Sequence, residues 1–317
     1  MHTVLITGGT GMIGTALSRH LLNEGYNVII LSRNPRETAA NHALGTEQNF
    51  FRSSGNLFYA RWDVKKMTID HAALKEADYV VHLAGAGVAD KRWSDARKKE
   101  ILESRTQSSA LLLKCLKENP NKVKAVVSAS AIGWYGEDKS RPFVEEDPAS
   151  SDFLGQTCLQ WEQSIDPVIG LGKRLVKLRL GIVLASQGGA LSEFRKPLRM
   201  GVAAVLGDGQ QVVSWVHIQD ICRAFTFAIE QDHMNGVYNL VAPQPVDNRT
   251  LMMTLAAKSN GKLYIPFNVP SSVLKVMLGE MSVEILKSAT VSSTKIRDQG
   301  FDFKFPTIDK ALDDLVG

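Results

Sequence analysis

Cysteine is scarce: Cys115, Cys158 and Cys222 are the three in 317 residues, far apart and without any Cys-x-x-Cys spacing. That argues against a disulfide framework and against structural zinc, and no metal site is expected. An excess of one charge is missing too. A formal net charge of +4 suits anionic ligands but is too small and too dispersed for a nucleic-acid-binding protein. The densest basic stretch, DKRWSDARKKE at 90–100, mixes both signs and reads as a solvated helix face. No apolar run reaches the length of a membrane span, and the first strand begins within a few residues of Met1, so neither a transmembrane helix nor a signal peptide is expected. The expectation is a reduced, cytoplasmic protein. Its 44% apolar and 22% charged residues are ordinary for a globular chain, and its length accommodates two domains.

What is present begins with VLITGGTGMIGTAL at residues 4–17. Val4, Leu5 and Ile6 form an apolar run too short for a helix, and from Met12 onward Ile13, Ala16, Leu17 and Leu21 recur at helical spacing. Gly8, Gly11 and Gly14 therefore occupy a strand-to-helix turn. Glycine there can take φ > 0, admits a phosphate to the backbone and lets the helix pack on its strand. Free N–H groups and the positive end of the helix dipole then face an anion. Further strand-like runs at 26–31, 57–60, 79–83, 123–128 and 175–180 alternate with helical stretches, notably 13–24, 94–118 and 153–165. This alternation predicts right-handed βαβ crossovers and an α/β fold, a Rossmann-type doubly wound parallel sheet. Residues 34–56, rich in Asn, Ser and Gly, read as a loop or weak helix without chemistry. From 181 the rhythm changes to short elements and glycine loops, while a helix near 218–232 and GVYNLV at 236–241 return to the sheet. The expected division is a dinucleotide-binding domain over 1–180 with 212–242, and a smaller C-terminal substrate domain from 181–211 and 243–317.

TGGTGMIG at 7–14, HLAGAGV at 82–88, SASAIGWYG at 128–136, LRLGIVL at 178–184 and SWVHIQD at 214–220 follow one another along the chain. Their order and spacing resemble the extended short-chain dehydrogenases/reductases, epimerase/dehydratase group. The tail, VPSSVLKVMLGEM at 269–281 and GFDFKFP at 300–306, is similar to the small C-terminal module of an atypical, epimerase-like branch of that group. The resemblance implies a dinucleotide across the carboxyl ends of the strands, its pyrophosphate on Gly8, Gly11 and Gly14 with Thr10, Met12 and Ile13 beside it. It also implies Asp63 near the adenine, where a plain turn cap is the alternative, and the turn Leu83-Ala84-Gly85 beside the adenine ribose. A small-molecule substrate follows from it, and a homodimer through the helices after the fourth and fifth strands is an option common among relatives.

The second strand ends Leu31-Ser32-Arg33-Asn34, without the acid that bonds the adenosine 2'-hydroxyl in NAD-specific folds. Arg33, with Ser32 next to it, would offer a 2'-phosphate charge-assisted hydrogen bonds, so NADP is the expected cofactor. A surface charge beside a turn is the plain alternative.

Relatives carry a Tyr and a Lys four residues apart on the helix after the fifth strand, and LGQTCLQWE at 154–162 puts Leu154 and Cys158 in those places. Neither replaces its counterpart: leucine has no transferable proton and a thiol no permanent positive charge. Ser130 matches the family's catalytic serine, with Ser128 as the fallback in another register. Tyr135 is the substitute phenol, although packing would explain it as well. Ala131-Ile132 stands where dehydratases carry Asp-Glu, which argues against dehydration. Arg105 could reach a substrate anion or form a helix-surface salt bridge, and Lys91 and Trp93 could line the pocket or start a helix. His217 reads as structural and Asp220 as a helix cap. Two functions remain open: an NADP-dependent oxidoreductase or epimerase on a carbonyl or sugar-nucleotide-like substrate, with Ser130 and Tyr135 in its site, or a non-catalytic NADPH-binding sensor or interaction protein.

Overall fold

The apolar runs of the N-terminal half become the strands of one sheet. In the computed structural model, which describes residues 1–34, 55–139, 141–261 and 263–316, they are β1 (Thr3–Thr7), β2 (Asn27–Ser32), β3 (Leu57–Asp63), the short β4 (Thr68–Ile69), β5 (Tyr79–His82), β6 (Ala125–Ala131) and β7 (Arg174–Leu180). Between them run α1 (Met12–Asn23), α2 (His71–Glu76), α3 (Asp95–Glu118) and α4 (Phe153–Ile165). Beyond β7 follow β8 (Ile182–Leu184), α5 (Gly189–Leu198), β9 (Val202–Leu206), β10 (Val212–Val213), β11 (Trp215–His217), α6 (Ile218–Glu230) and β12 (Gly236–Leu240). The chain closes with β13 (Val246–Asp247), α7 (Asn248–Asn260), β14 (Ile265–Val269), α8 (Ser271–Leu278), α9 (Met281–Leu286), α10 (Thr294–Asp298) and α11 (Ile308–Val316).

The main sheet has the order β12-β7-β6-β5-β1-β2-β3-β4, and all of its pairs are parallel except β3 with β4. Side chains alternate across it. Val4 and Ile6 enter the apolar layer of α1 and α6, whereas Leu5, Val80 and Val126 enter that of α2, α3 and α4. Strand order reverses between β1 and β5, the switch point outside which sheets of this kind bind ligands.

Two local expectations change, and one short helix is added. The fifth parallel run, expected at 123–128, is β6 at 125–131, because Ser128 through Ala131 pair in register with Lys177 through Leu180 of β7. Cross-strand pairing outweighs the weak strand preference of serine and alanine. α2 is too short to leave a periodic signature and rests on Asp70, whose side chain caps the Ala72 N–H. Asp220 is not the cap of α6. It is the third residue of α6, and its carboxylate accepts the N–H groups of Lys304 at 2.8 Å and Phe305 at 3.0 Å, tying the C-terminal segment to that helix. The cap is His217, whose Nδ1 accepts the Gln219 N–H at 3.1 Å. The stretch read as a loop or weak helix at 34–56 lies, over 35–54, outside the described residues.

A separate core in the C-terminal half gathers Leu191, Trp215, Leu251, Leu255, Ile308 and Leu312. No helix among the described residues is long and apolar enough to cross a membrane.

A polar relay joins β1 to β5. Thr7 Oγ1 accepts the N–H groups of Leu83 and Ala84, both at 3.2 Å, which leaves its own proton for His82 Nδ1 at 2.8 Å. Nδ1 is thus the acceptor, and the Nε2–H faces Ser109 Oγ at 3.1 Å. Complete burial lowers the His82 pKa from 6.5 to about 4. As pH falls, the unfolded chain takes up this proton first. Stability is whole above pH 6.5 and declines as pH falls toward 4, by on the order of 3 kcal/mol in all. Urea midpoints should therefore drop between about pH 7 and pH 4.5, and His82→Gln should flatten that slope. A slope that the substitution leaves unchanged would contradict a buried neutral imidazole.

Candidate functional site

The glycine turn lies between β1 and α1 at the switch point. Gly8 has φ of 68°, and a Cβ there would stand 2.8 Å from the Leu83 carbonyl. Gly14 presses on the turn itself, where a Cβ would overlap the Gly8 carbonyl oxygen. The chain's own packing requires both. Gly11 differs: its φ is −78°, and a Cβ would meet only Gly8 O, at 3.4 Å. It is the N-cap of α1, where no side chain caps the helix and no acid stands in the first turn. Exposed Thr10 and Gly11 and half-buried Met12 and Ile13 thus border a positive helix end that can receive an anion. A cradle that side chains would fill fits a dinucleotide pyrophosphate.

The other expected cofactor residues surround this turn. Leu31 pairs with Thr7, so Ser32 and Arg33 pass alongside it. Ser32 Oγ accepts the Asn34 N–H at 3.3 Å, and Arg33 is exposed. Asp63 caps a turn, its Oδ1 accepting the N–H groups of Lys65 at 3.0 Å and Lys66 at 3.1 Å. Gly85 is packed so closely that a Cβ would stand 3.1 Å from Arg105 Cζ.

Leu154 and Cys158 of α4 both face the turn that follows β6. A Cβ on Gly133 would lie 3.2 Å from Leu154 Cβ and 3.8 Å from Cys158 Sγ. Burial pushes the Cys158 thiol up to about 12, so it is neutral. Ser130 and Tyr135 both lie inside the protein. Ser130 is 1% exposed and donates to Glu162 Oε1 at 2.7 Å. Arg179 of β7 grips the same carboxylate through Nε at 2.8 Å and Nη2 at 3.1 Å, and gives Nη1 to Tyr135 Oη at 3.0 Å. Tyr135 Oη donates in turn to Asn239 Oδ1 at 2.7 Å, and burial pushes the phenol up to about 12 against the pull of Arg179. A hydroxyl committed to a buried carboxylate and a phenol so raised are poor proton carriers at neutral pH. Ser128 is also fully buried and donates to Ala129 O at 3.1 Å.

Among the described residues Arg105 forms no helix-surface salt bridge. Its Nη1 donates to Ala86 O at 3.0 Å and Ile101 O at 2.8 Å, and its guanidinium lies 4.8 Å from the centre of the Trp161 ring. Trp93 packs edge-on against Phe153 with its Nε1 donating to Val88 O at 2.9 Å, and Lys91 is exposed. The C-terminal tail closes against this loop. Arg92 lies against Gly279, Lys98 pairs with Glu280, and Lys287 bridges Glu284 at 2.7 Å and Asp152, the cap of α4, at 3.1 Å. Among the described residues no group of three or more His, Cys, Asp or Glu could hold a metal ion.

Residues 4–157 match the NAD dependent epimerase/dehydratase family, and residues 269–315 match a domain of unknown function, DUF1731. An epimerase family protein of Staphylococcus epidermidis is 33% identical over 319 aligned residues, covering 100% of this chain and 99% of that protein. The chain belongs to the NAD dependent epimerase/dehydratase family. A solved structure of the human epimerase family protein SDR39U1 (isoform 2) with NADPH has a TM-score of 0.83 at 28% identity, covering 99% of each chain. A nucleoside-diphosphate sugar epimerase of Corynebacterium glutamicum gives 0.74 at 27%, covering 100% of this chain and 58% of that one.

Close to Leu154 and Cys158 this epimerase/dehydratase family member keeps a buried ion pair. The pair Glu162–Arg179 was missed in the sequence, though it left two signals. Arg179 interrupts RLVKLRL, a run buried on both faces, where a charge needs a partner. Glu162 follows Cys158 by four residues, on the same face of α4.

Proposed function

We propose that this family member is an NADP-binding oxidoreductase or epimerase acting on a carbonyl or sugar-nucleotide-like substrate. Gly11 carries the reading. The chain has room for a side chain there and leaves it out, at the helix end where a pyrophosphate would lie. The NADPH in the human relative and the missing acid after β2 support NADP. Gly8, Thr10, Gly11, Met12, Ile13 and Gly14 would hold the pyrophosphate, Ser32 and Arg33 the 2'-phosphate, and Asp63 with Leu83, Ala84 and Gly85 the adenosine. A nicotinamide bound there would supply hydride transfer. The residues of the chain bind, orient and exclude water. Ser130 and Tyr135 take a supporting role, holding β6 and the turn after it on Glu162 and Arg179. The accompanying proton then comes from water or from the substrate's own groups.

Arg33→Ala should weaken NADPH at least about tenfold and leave NADH within about twofold, since a charge-assisted hydrogen bond contributes roughly 1.5–3 kcal/mol. A fluorescence titration in which both cofactors weaken alike would remove Arg33 from the phosphate site.

A non-catalytic NADPH sensor is the second reading, favoured by Leu154 and the neutral Cys158. Screening carbonyl compounds for loss of reduced-nicotinamide absorbance separates the two. Turnover of any of them identifies an enzyme, saturable NADPH binding without turnover supports the sensor, and absence of binding sinks both.

A further inference from the structure

Two arginines lie about two turns apart on α3 in opposite surroundings. Arg97 is neutralised by Glu100 at 2.7 Å and Asp90 at 3.5 Å. Arg105 has no carboxylate at ion-pair distance among the described residues; its Nη1 is committed to two carbonyls, while Nε and Nη2 donate to none of those residues and are not sealed from solvent. Yet the guanidinium is largely enclosed. Gly85 stands against it on the segment leaving β5, at the switch point, and the Trp161 ring supports it. Burial lowers its pKa, and the neighbouring Cys158 thiol is neutral and offers no compensating charge. The Trp161 Nε1–H is buried without an acceptor among the described residues. An enclosed cation beside an orphan donor is costly until an acceptor meets it.

We infer that Arg105 binds an oxyanion, a phosphate or carboxylate group of the molecule held in the cleft, and supplies from α3 the positive charge that Cys158 does not supply from α4. The inference rests on the dinucleotide-cleft reading and deepens it toward an acidic ligand. A planar guanidinium with free N–H groups on two nitrogens suits such a group, which it can grip with two bonds at once. The oxyanion has two sources, an acidic substrate or a phosphate of the cofactor.

The test titrates inorganic phosphate against chloride, at constant ionic strength, into the protein alone and into NADP-saturated protein, reading thermal shift and tryptophan fluorescence. The expected result is a saturable shift in the NADP-saturated protein, weakened at least about tenfold in Arg105→Met and only a few fold in Arg105→Lys, which keeps the charge without the fork. Trp161→Phe should remove most of the fluorescence change while the thermal shift persists. A shift confined to the protein alone, displaced by NADP and lost in Arg105→Met, assigns the oxyanion to the cofactor. No saturable shift in either form, or an equal shift in Arg105→Met, overturns the inference. Should Arg105→Met fail to fold, the fluorescence of the parent protein and Trp161→Phe decides: a phosphate response that does not depend on Trp161 overturns it. Cofactor affinity is measured in the same samples, so failure of the cleft reading would appear separately, as absence of NADP binding to the parent protein.

Discussion

Arg179→Met is expected to lower stability by about 3–5 kcal/mol, the cost of leaving a buried carboxylate without its cation. The Arg179 side chain is 2% exposed, stacks 3.6 Å from the centre of the Trp134 ring and holds Glu162 with two parallel bonds. After the substitution Glu162 would keep the Ser130 hydroxyl, and Lys177 Nζ at 3.7 Å, which is already drawn to Asp166 at 2.6 Å. Urea unfolding of Arg179→Met, Glu162→Gln and the double variant measures the coupling. The double variant buries no lone charge, so its loss should fall short of the sum by roughly 0.5–3 kcal/mol. Tyr135→Phe should cost less, about 1–3 kcal/mol, because Asn239 and Arg179 each lose one partner. Its NADPH affinity should not change. A loss below about 1 kcal/mol for Arg179→Met would mean that the network does not hold β6 to β7 and α4.

Gly11→Ala should weaken dinucleotide binding on the order of a hundredfold while leaving the melting temperature nearly unchanged, from loss of about two charge-assisted bonds between phosphate oxygens and amides. The split between the two readouts is the informative part. An alanine at Gly8 or Gly14 would strain the turn or collide with its backbone and so damage fold and binding together, whereas at Gly11 the nearest atom to the new methyl is Gly8 O at 3.4 Å. Unchanged affinity in a folded Gly11→Ala protein would mean that no phosphate approaches this helix end.

The parallel sheet was legible because its signals are local. Val4, Leu5 and Ile6 read as a buried strand and are fully buried, and the glycines that follow read as a turn whose packing requires Gly8 and Gly14. The turn cap made by Asp63 is local as well, reaching two and three residues along. Side-chain direction in the site was not legible, because distant residues decide it. Ser130 stands at the strand end that its motif indicates, yet its hydroxyl turns to Glu162, 32 residues on, next to Arg179, which strand pairing sets opposite it. Tyr135 meets Asn239 across 104 residues through the return of β12 to the sheet. Arg105 posed the same difficulty. A helical sequence cannot tell a guanidinium on the surface from one enclosed by Gly85 and Trp161.

The central claim, an NADP site on the turn between β1 and α1, is tested most directly by titrating NADPH and NADH separately into the parent protein and following reduced-nicotinamide fluorescence. Saturable NADPH binding at least about tenfold tighter than NADH is the expected result, in line with a 2'-phosphate held by a charge-assisted bond. Failure of both cofactors to saturate the protein would contradict the site, and equal affinities would contradict its preference for NADP.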